Sequence, residues 1–209
     1  MQATCPLCAT LGEVYYESEE IYYKCPQCYG VFVDEKNRPN NIEEKQRYEL
    51  HDDDTNDSGY RKFVSPITSS ILNDFTCKSK GLDFGAGTSA IISVVLHEQN
   101  YDIKNYDPYF HIHPKLLEDK YDYISSCEVI EHFYNPCKEF KLLKDMLKKD
   151  AKLYLMSEVY DKKIDFGSWY YKNDPTHVFF YSRETFEWIK NKFEFKTVSV
   201  DKRLIVFEN

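Results

Sequence analysis

The hydrophobic rhythm of the chain changes along its length. Through residues 12–24, GEVYYESEEIYYK, apolar and polar positions alternate with the two-residue period of a strand, which predicts a short hairpin. Beyond Pro39 the pattern lengthens. NIEEKQRYELH reads as the start of a helix, DDDTNDSG as an acidic, solvated turn, and YRKFVSPITSSILNDF as a further helix with Pro66 near its beginning. From residue 80 strands and helices take turns. GLDFG is a strand, SAIISVVLHEQN a helix and YDIKNYDP a second strand. YDYISSCEV is a third strand, PCKEFKLLKDMLKKD a helix with a Lys-rich end, AKLYLMSEV a fourth strand and SRETFEWIKNKF a helix. Such alternation implies an α/β class, with a doubly wound, mostly parallel sheet. The closing strands, FEFKTVSV and RLIVFE, are two residues apart and must be antiparallel. Three parts follow: residues 1–38, a helical linker or cap at 39–78, and an α/β core at 79–209.

The first part carries its own chemistry. Cys5, Cys8, Cys25 and Cys28 form a C-x2-C-x16-C-x2-C array, spacing that suits a zinc site. Each C-P-x-C turn offers two sulfurs, and two turns supply four thiolates for tetrahedral Zn²⁺. With a hairpin between them this is the pattern of a zinc ribbon, whose closed ligand set leaves no position for a substrate. Its role is therefore structural, or it presents a surface to a partner. Cys77, Cys127 and Cys137 show no pairing and read as ordinary buried thiols.

Composition narrows the setting. Of 209 residues 42% are hydrophobic, enough for a sizeable core, and the net charge is −8. Nucleic acid or an anionic membrane calls for a basic surface, and no long Lys/Arg run is present. No apolar run is long enough for a membrane span. The N-terminal MQATCPLCATLGE lacks the regions of a signal peptide, so a cytoplasmic setting with reduced thiols is expected.

In GLDFGAGTSA, Gly85, Gly87 and Ala90 fit a dinucleotide-type loop, and Asp107, 20 residues after Gly87, is placed to take ribose hydroxyls. Asp83 discriminates among ligands: its carboxylate repels a pyrophosphate and attracts a cation. The pattern D-x-G-x-G resembles motif I of class I S-adenosylmethionine (SAM) methyltransferases. The closing antiparallel pair and YDYISSCEVIEHF resemble that family's reversed last strand and its fourth strand with the turn that follows. With the ribbon in front, the whole chain resembles the zinc-ribbon-bearing members. The resemblance implies a Rossmann-like methyltransferase sheet with SAM as cofactor, bound by Asp83, Gly85, Gly87, Asp107 and Glu128. Only about 14 residues separate Asp107 from the next strand, so the family's third strand and its flanking helices are missing or reduced. The loop FHIHPKLLEDK is left to contact the adenine.

Methyl transfer from a sulfonium is an in-line displacement in which orientation dominates, aided by a base near neutral pKa. His132 in EVIEHF and His177 in DPTHVFFYS are the candidate catalytic bases, each with the alternative of a backbone-bonded structural role. Of Glu128 and Glu131 in the same turn, one is expected to be exposed. Trp169, Tyr170 and Tyr171 are candidates to stack on an acceptor or enclose the sulfonium. Tyr48 and His51 in the linker are candidate substrate contacts. His111 and His113 read as an exposed loop and His97 as structural. The acceptor expected first is a small, possibly sugar-like molecule with an oxygen or nitrogen nucleophile, ahead of RNA or protein. RNA methylation with the ribbon docking the substrate stands as an alternative, as does a non-catalytic SAM-fold binding module. Oligomeric state is not specified.

Overall fold

A computed structural model describes residues 1–49 and 54–209. It holds two sheets. The first is built from β1 (Gln2–Thr4), β2 (Leu11–Glu17), β3 (Ile21–Lys24) and β4 (Val31–Val33), joined in sequence by antiparallel pairing. The two C-P-x-C turns have the same construction. Cys5 N donates to Thr10 O and Ala9 N to Cys5 O, both at 2.9 Å; Cys25 N donates to Gly30 O at 2.9 Å and Tyr29 N to Cys25 O at 3.1 Å. Ala9 and Tyr29 both sit at a φ of 62°, a left-handed turn that side-chain-bearing residues adopt only when the surroundings hold them there.

The helices α1 (Asn41–Glu49) and α2 (Ser58–Asp74) follow. Pro66 is the ninth residue of α2 rather than near its start, because the helix begins earlier, at an Asp57 cap whose carboxylate accepts from Tyr60 N. Pro66 withholds a hydrogen bond from the Lys62 carbonyl, and the Ser65 hydroxyl donates to that carbonyl at 2.7 Å instead.

The core elements are β5 (Lys80–Phe84), α3 (Ile91–His97), β6 (Asp102–Tyr106), β7 (Tyr121–Cys127), α4 (Pro136–Met146), β8 (Leu147–Met156), β9 (Phe179–Phe180), α5 (Arg183–Lys192), β10 (Thr197–Asp201) and β11 (Leu204–Glu208). Six of the strands form the second sheet in the order β10-β11-β8-β7-β5-β6. Strands β6, β5, β7 and β8 are parallel; β11 runs antiparallel to β8 and β10 antiparallel to β11. Among the described residues β6 is an edge strand. The segment leading to β7 contains only a 3-10 turn, Pro114–Glu118, so the sheet has no strand beyond β6.

The helix foreseen over 136–150 stops at Met146, and LKKD belongs to β8. Tyr121 pairs with Leu147 but Tyr123 with Lys152, so β8 bulges there, with Asp150 left-handed at 60°. A bulge breaks the strand period, with Lys148 half-buried on Asp122 and Lys149 and Asp150 both exposed, which is why the stretch reads as a helix end. Side chains alternate across the sheet. Tyr123 and Tyr154 pack with Val64, Ile67 and Ile92 of α2 and α3 on one face. Ile124, Leu153 and Leu155 pack with Phe140, Leu143, Phe186 and Ile189 of α4 and α5 on the other. Burial of each large apolar side chain contributes about 1.5–3 kcal/mol, which sets both faces firmly.

The first sheet does not end with the N-terminal segment. Its fifth strand is β9, two residues from the far end of the chain's longest loop, with Phe32 opposite Phe179 and Val31 opposite Phe180. Cys5, Leu7, Cys25, Cys28 and Phe32 are buried in the same apolar cluster as Tyr181 and Phe140 of the core. Cys77 is exposed, and Cys127 and Cys137 are half-buried, so the expectation of three ordinary buried thiols fails most clearly at Cys77, which follows α2 on the surface. Among the described residues no helix is long and apolar enough to cross a membrane.

Candidate functional site

The carboxyl ends of parallel strands β5, β6 and β7 meet at one edge of the sheet, and the turns leaving them define the site. Beyond β5 the chain turns sharply: Gly85 has a φ of 77° and Gly87 of 64°. Gly85 N and Ala86 N both donate to Tyr106 O at the end of β6, at 2.8 and 3.2 Å. A Cβ at Gly85 would lie 2.5 Å from Val129, so this glycine lets the loop lie against the turn that follows β7. At Gly87 a Cβ would meet nothing within 4 Å; its bare face opens onto space, a cradle for a ligand.

Two carboxylates flank this loop. Asp107 Oδ2 accepts from Gly87 N at 3.0 Å, while Oδ1 accepts from Tyr109 N and Phe110 N at 2.8 and 3.1 Å. Asp83, the fourth residue of β5, is buried and accepts from the Ser125 hydroxyl at 2.9 Å. Burial pushes its carboxyl up to about 7; Asp107 adds to the rise, and the hydroxyls of Ser125 and Ser93 oppose it. His111, foreseen as part of an exposed loop, is half-buried and bridges back to Asp107, whereas His113 is exposed. His97 bonds the Ile103 carbonyl at 3.0 Å, a structural role.

The turn after β7 supplies a second group. Glu128 is left-handed, with a φ of 53°, and a short 3-10 turn over Ile130–His132 follows. Both acids of EVIEH are withdrawn from solvent, contrary to the expectation that one is exposed: Glu131 is fully buried and Glu128 half-buried. The reason lies in partners that are distant in sequence. Tyr171 donates its hydroxyl to Glu131, Ser157 donates to the other carboxylate oxygen at 3.0 Å, and Arg203 donates to Glu128 at 2.5 Å. Glu128 Oε1 is buried with no hydrogen-bond partner among the described residues.

The loop over residues 167–182 brings His177 onto this turn. Val178 N donates to Glu131 O at 2.9 Å. His132 Nδ1 donates to Thr176 O at 2.9 Å, and His177 Nδ1 donates to Tyr171 O at 2.6 Å, so in each neutral ring the lone pair is on Nε2. The two imidazole centroids are 4.8 Å apart. Burial raises Glu131 and lowers His177, each moderated by the other's charge; burial also carries Glu128 up to about 8, with Arg203 holding it back. Tyr171 is held well above its usual range by burial and by the two glutamates.

Helix α1 caps the arrangement. Tyr48 packs edge-on against the His132 ring, and Tyr48 and Tyr109 both donate to the buried Glu44, at 2.8 and 2.7 Å. Arg47 pairs with Asp174 at 2.9 Å, tying the cap to the His177 loop. Burial opposes ionisation of Asp174, but the Thr176 hydroxyl and amide together with Arg47 hold its carboxyl at about 2. His51 lies outside the described residues.

Of the residues singled out from sequence, the structure gathers Asp83, Gly85, Gly87 and Asp107 at one loop, and Tyr48, Glu128, His132, Tyr171 and His177 at the adjoining turn. Trp169 is not among them: it is buried between Tyr160, Phe166 and Phe180, in the apolar cluster that the long loop forms against the first sheet. Tyr170 is exposed and bonds Glu158. Glu44, Tyr109, Ser157 and Arg203 are additions that no local motif announces. The four cysteine sulfurs of the first sheet lie within 4.8 Å of one another, with Cys5–Cys28 at 3.5 Å and Cys8–Cys25 at 3.3 Å.

A family model described as a methyltransferase domain matches residues 43–200. A solved SAM-dependent methyltransferase from Archaeoglobus fulgidus shares the fold with a TM-score of 0.56 at 12% identity, over 82% of this chain and 100% of that one. Human N-acetylserotonin methyltransferase in complex with SAM gives a TM-score of 0.55 at 10% identity, over 81% of this chain and 56% of that one. An O-methyltransferase family protein from Burkholderia thailandensis gives 0.51 at 7% identity, over 71% and 56% respectively. The chain thus spans little more than half the length of the latter two. No curated protein sequence matches it.

Proposed function

Because the chain belongs to the methyltransferase domain family, we propose that it transfers the methyl group of SAM to an oxygen or nitrogen of a small, possibly sugar-like acceptor. The observation that carries this reading is the adjacency of two groups at one sheet edge: the Asp83–Gly85–Gly87–Asp107 loop and, against it through the Gly85–Val129 contact, the Glu131–His132–His177 turn. Residues for the cofactor fit it chemically. The open face of Gly87 admits a close backbone approach, Asp107 keeps acceptor capacity for ribose hydroxyls, and Asp83 and Glu128 offer carboxylates to the cationic methionyl end. Bound there, SAM supplies an electrophilic methyl group. His132 and His177, each with its Nδ1–H fixed on a carbonyl, present Nε2 as the basic atom toward an acceptor, and Tyr48 closes over them from α1.

The four cysteines suit a structural zinc ion. Zinc–sulfur bonds of about 2.3 Å put tetrahedral sulfurs about 3.8 Å apart, close to the observed pairs at 3.3 and 3.5 Å. Zinc there would supply no chemistry to the methyl step; it would hold the first sheet, and through β9 the His177 loop.

Transfer of radiolabelled methyl from SAM, scored over hydroxylated and amino small molecules alongside total RNA, tests the acceptor class. The expected outcome is label in the small-molecule fraction, reduced by at least tenfold in His177→Ala protein. Label found in RNA alone would overturn the small-acceptor assignment and leave methyl transfer standing.

A further inference from the structure

Glu131, His132 and His177 present one carboxylate oxygen and two ring nitrogens within 4.8 Å of one another. We propose that these three side chains bind a first-row divalent cation such as Mn²⁺, and that the cation holds the acceptor by a hydroxyl oxygen.

The second shell supports this. A metal-binding histidine donates its remote N–H to a carbonyl or carboxylate, which fixes the ring and the tautomer. Both histidines do so: His132 Nδ1 to Thr176 O at 2.9 Å and His177 Nδ1 to Tyr171 O at 2.6 Å. The carboxylate is anchored as well, by Tyr171 on one oxygen and Ser157 on the other, each oxygen keeping a second lone pair. Two imidazoles and one carboxylate are a donor set for Mn²⁺, Fe²⁺, Co²⁺ or Zn²⁺ with positions left open for another ligand. Bonds of about 2.0–2.2 Å place neighbouring donor atoms roughly 3.0–3.5 Å apart, so the three atoms close by at most roughly 1.5 Å, a shift within the reach of side-chain rotation. Glu128 stands beside Glu131 on the Tyr171 hydroxyl; Arg203 balances it at Oε2, while its Oε1 is buried with no hydrogen-bond partner among the described residues.

The consequence for chemistry rests on the methyltransferase reading; the binding itself does not. With both Nε2 lone pairs engaged on the cation the two histidines act as ligands in place of bases, and a hydroxyl on the cation loses its proton to solvent more readily. The oxygen pair then forms the new C–O bond as the C–S pair departs onto sulfur, giving a methyl ether, S-adenosylhomocysteine and one proton. This selects an oxygen acceptor over an amine.

The test uses full-length protein carrying one zinc per chain, titrated with Mn²⁺ while free Mn²⁺ is followed by electron paramagnetic resonance. S-adenosylhomocysteine binding is measured in parallel by calorimetry. The expected result is one Mn²⁺ per chain, weakened at least tenfold in His132→Ala and in His177→Ala, with S-adenosylhomocysteine affinity in both variants within about threefold of the parent. Absence of Mn²⁺ binding, or binding unchanged in both variants, overturns the proposal. Mn²⁺ bound without S-adenosylhomocysteine upholds the site and sinks the methyltransferase reading instead.

Discussion

Cys25→Ser protein will carry less than half an equivalent of zinc per chain, melt roughly 6–12 °C below the parent and lose at least 99% of its methyl transfer. The metal loss follows from breaking a four-thiolate set, because a neutral serine hydroxyl is a much poorer zinc ligand than the thiolate it replaces. The melting shift follows from packing. Cys25 and Cys28 lie in the same apolar cluster as Tyr181 and Phe140, so loosening the knuckles disturbs the main core as well as a peripheral hairpin. A loss of about 3 kcal/mol in a chain of this size corresponds to that drop in Tm. The activity loss is the more discriminating part. Strand β4 is hydrogen-bonded to β9, and Val33 N donates to Val178 O at 3.0 Å, one residue from His177. The first sheet therefore backs the His177 loop, which is the proposed acceptor wall. Elemental analysis, thermal melts and the labelled-methyl assay check the three parts separately; a zinc-poor variant with full turnover would show that the first sheet is a mere appendage.

A second large effect is expected at Asp83. Its carboxyl, with burial and the neighbouring Asp107 raising it to about 7 against the pull of Ser125 and Ser93, is largely neutral below neutrality in the empty protein. The sign follows directly. An unfolded aspartate titrates near 3.9, so between about pH 4 and 7 the folded protein holds a proton that the unfolded chain releases, and this group's contribution to stability falls as pH rises through that window. A cationic methionyl group binds the ionised form, so SAM affinity moves the other way. From pH 6 to 7.5 the ionised fraction rises about eightfold for a pKa of about 7, and the association constant for SAM should rise by nearly that factor. Asp83→Asn removes the Asp83 share of the pH dependence, leaving what Glu128 at about 8 contributes, and weakens SAM at pH 7.5 by about 10–100-fold, equivalent to about 1.4–2.7 kcal/mol. Calorimetry at both pH values on both proteins checks this. An asparagine variant that retains the pH slope would assign the proton to another group.

Much of this architecture is legible in the sequence because its causes are local. Doubled C-P-x-C turns, a period of two in GEVYYESEEIYYK, and glycines two apart after LDF each specify their own backbone. What is not legible depends on distant partners. FF at 179–180 is too short to read as a strand; it becomes one because β4 offers an open edge and Phe32 lies opposite Phe179. One of Glu128 and Glu131 reads as a surface acid, yet neither is exposed; Glu131 is buried because Tyr171 and Ser157, 40 and 26 positions away, solvate it. Trp169 and Tyr170 read as acceptor-stacking aromatics alongside Tyr171, yet Trp169 packs the long loop against the first sheet and Tyr170 stays in solvent. The Lys-rich LKKD lacks any period because β8 bulges there. The site is thus half local motif, the glycine loop after β5, and half tertiary construction, the Glu131–His132–His177 turn.

The central claim is that the loop from Asp83 to Gly87 and the turn at Asp107 hold SAM. Calorimetric titration of SAM into the zinc-loaded full-length chain at pH 7.5 tests it most directly. The account predicts one saturable site per chain with a dissociation constant in the micromolar range; no saturable heat, in protein whose zinc content and melting are intact, would contradict it.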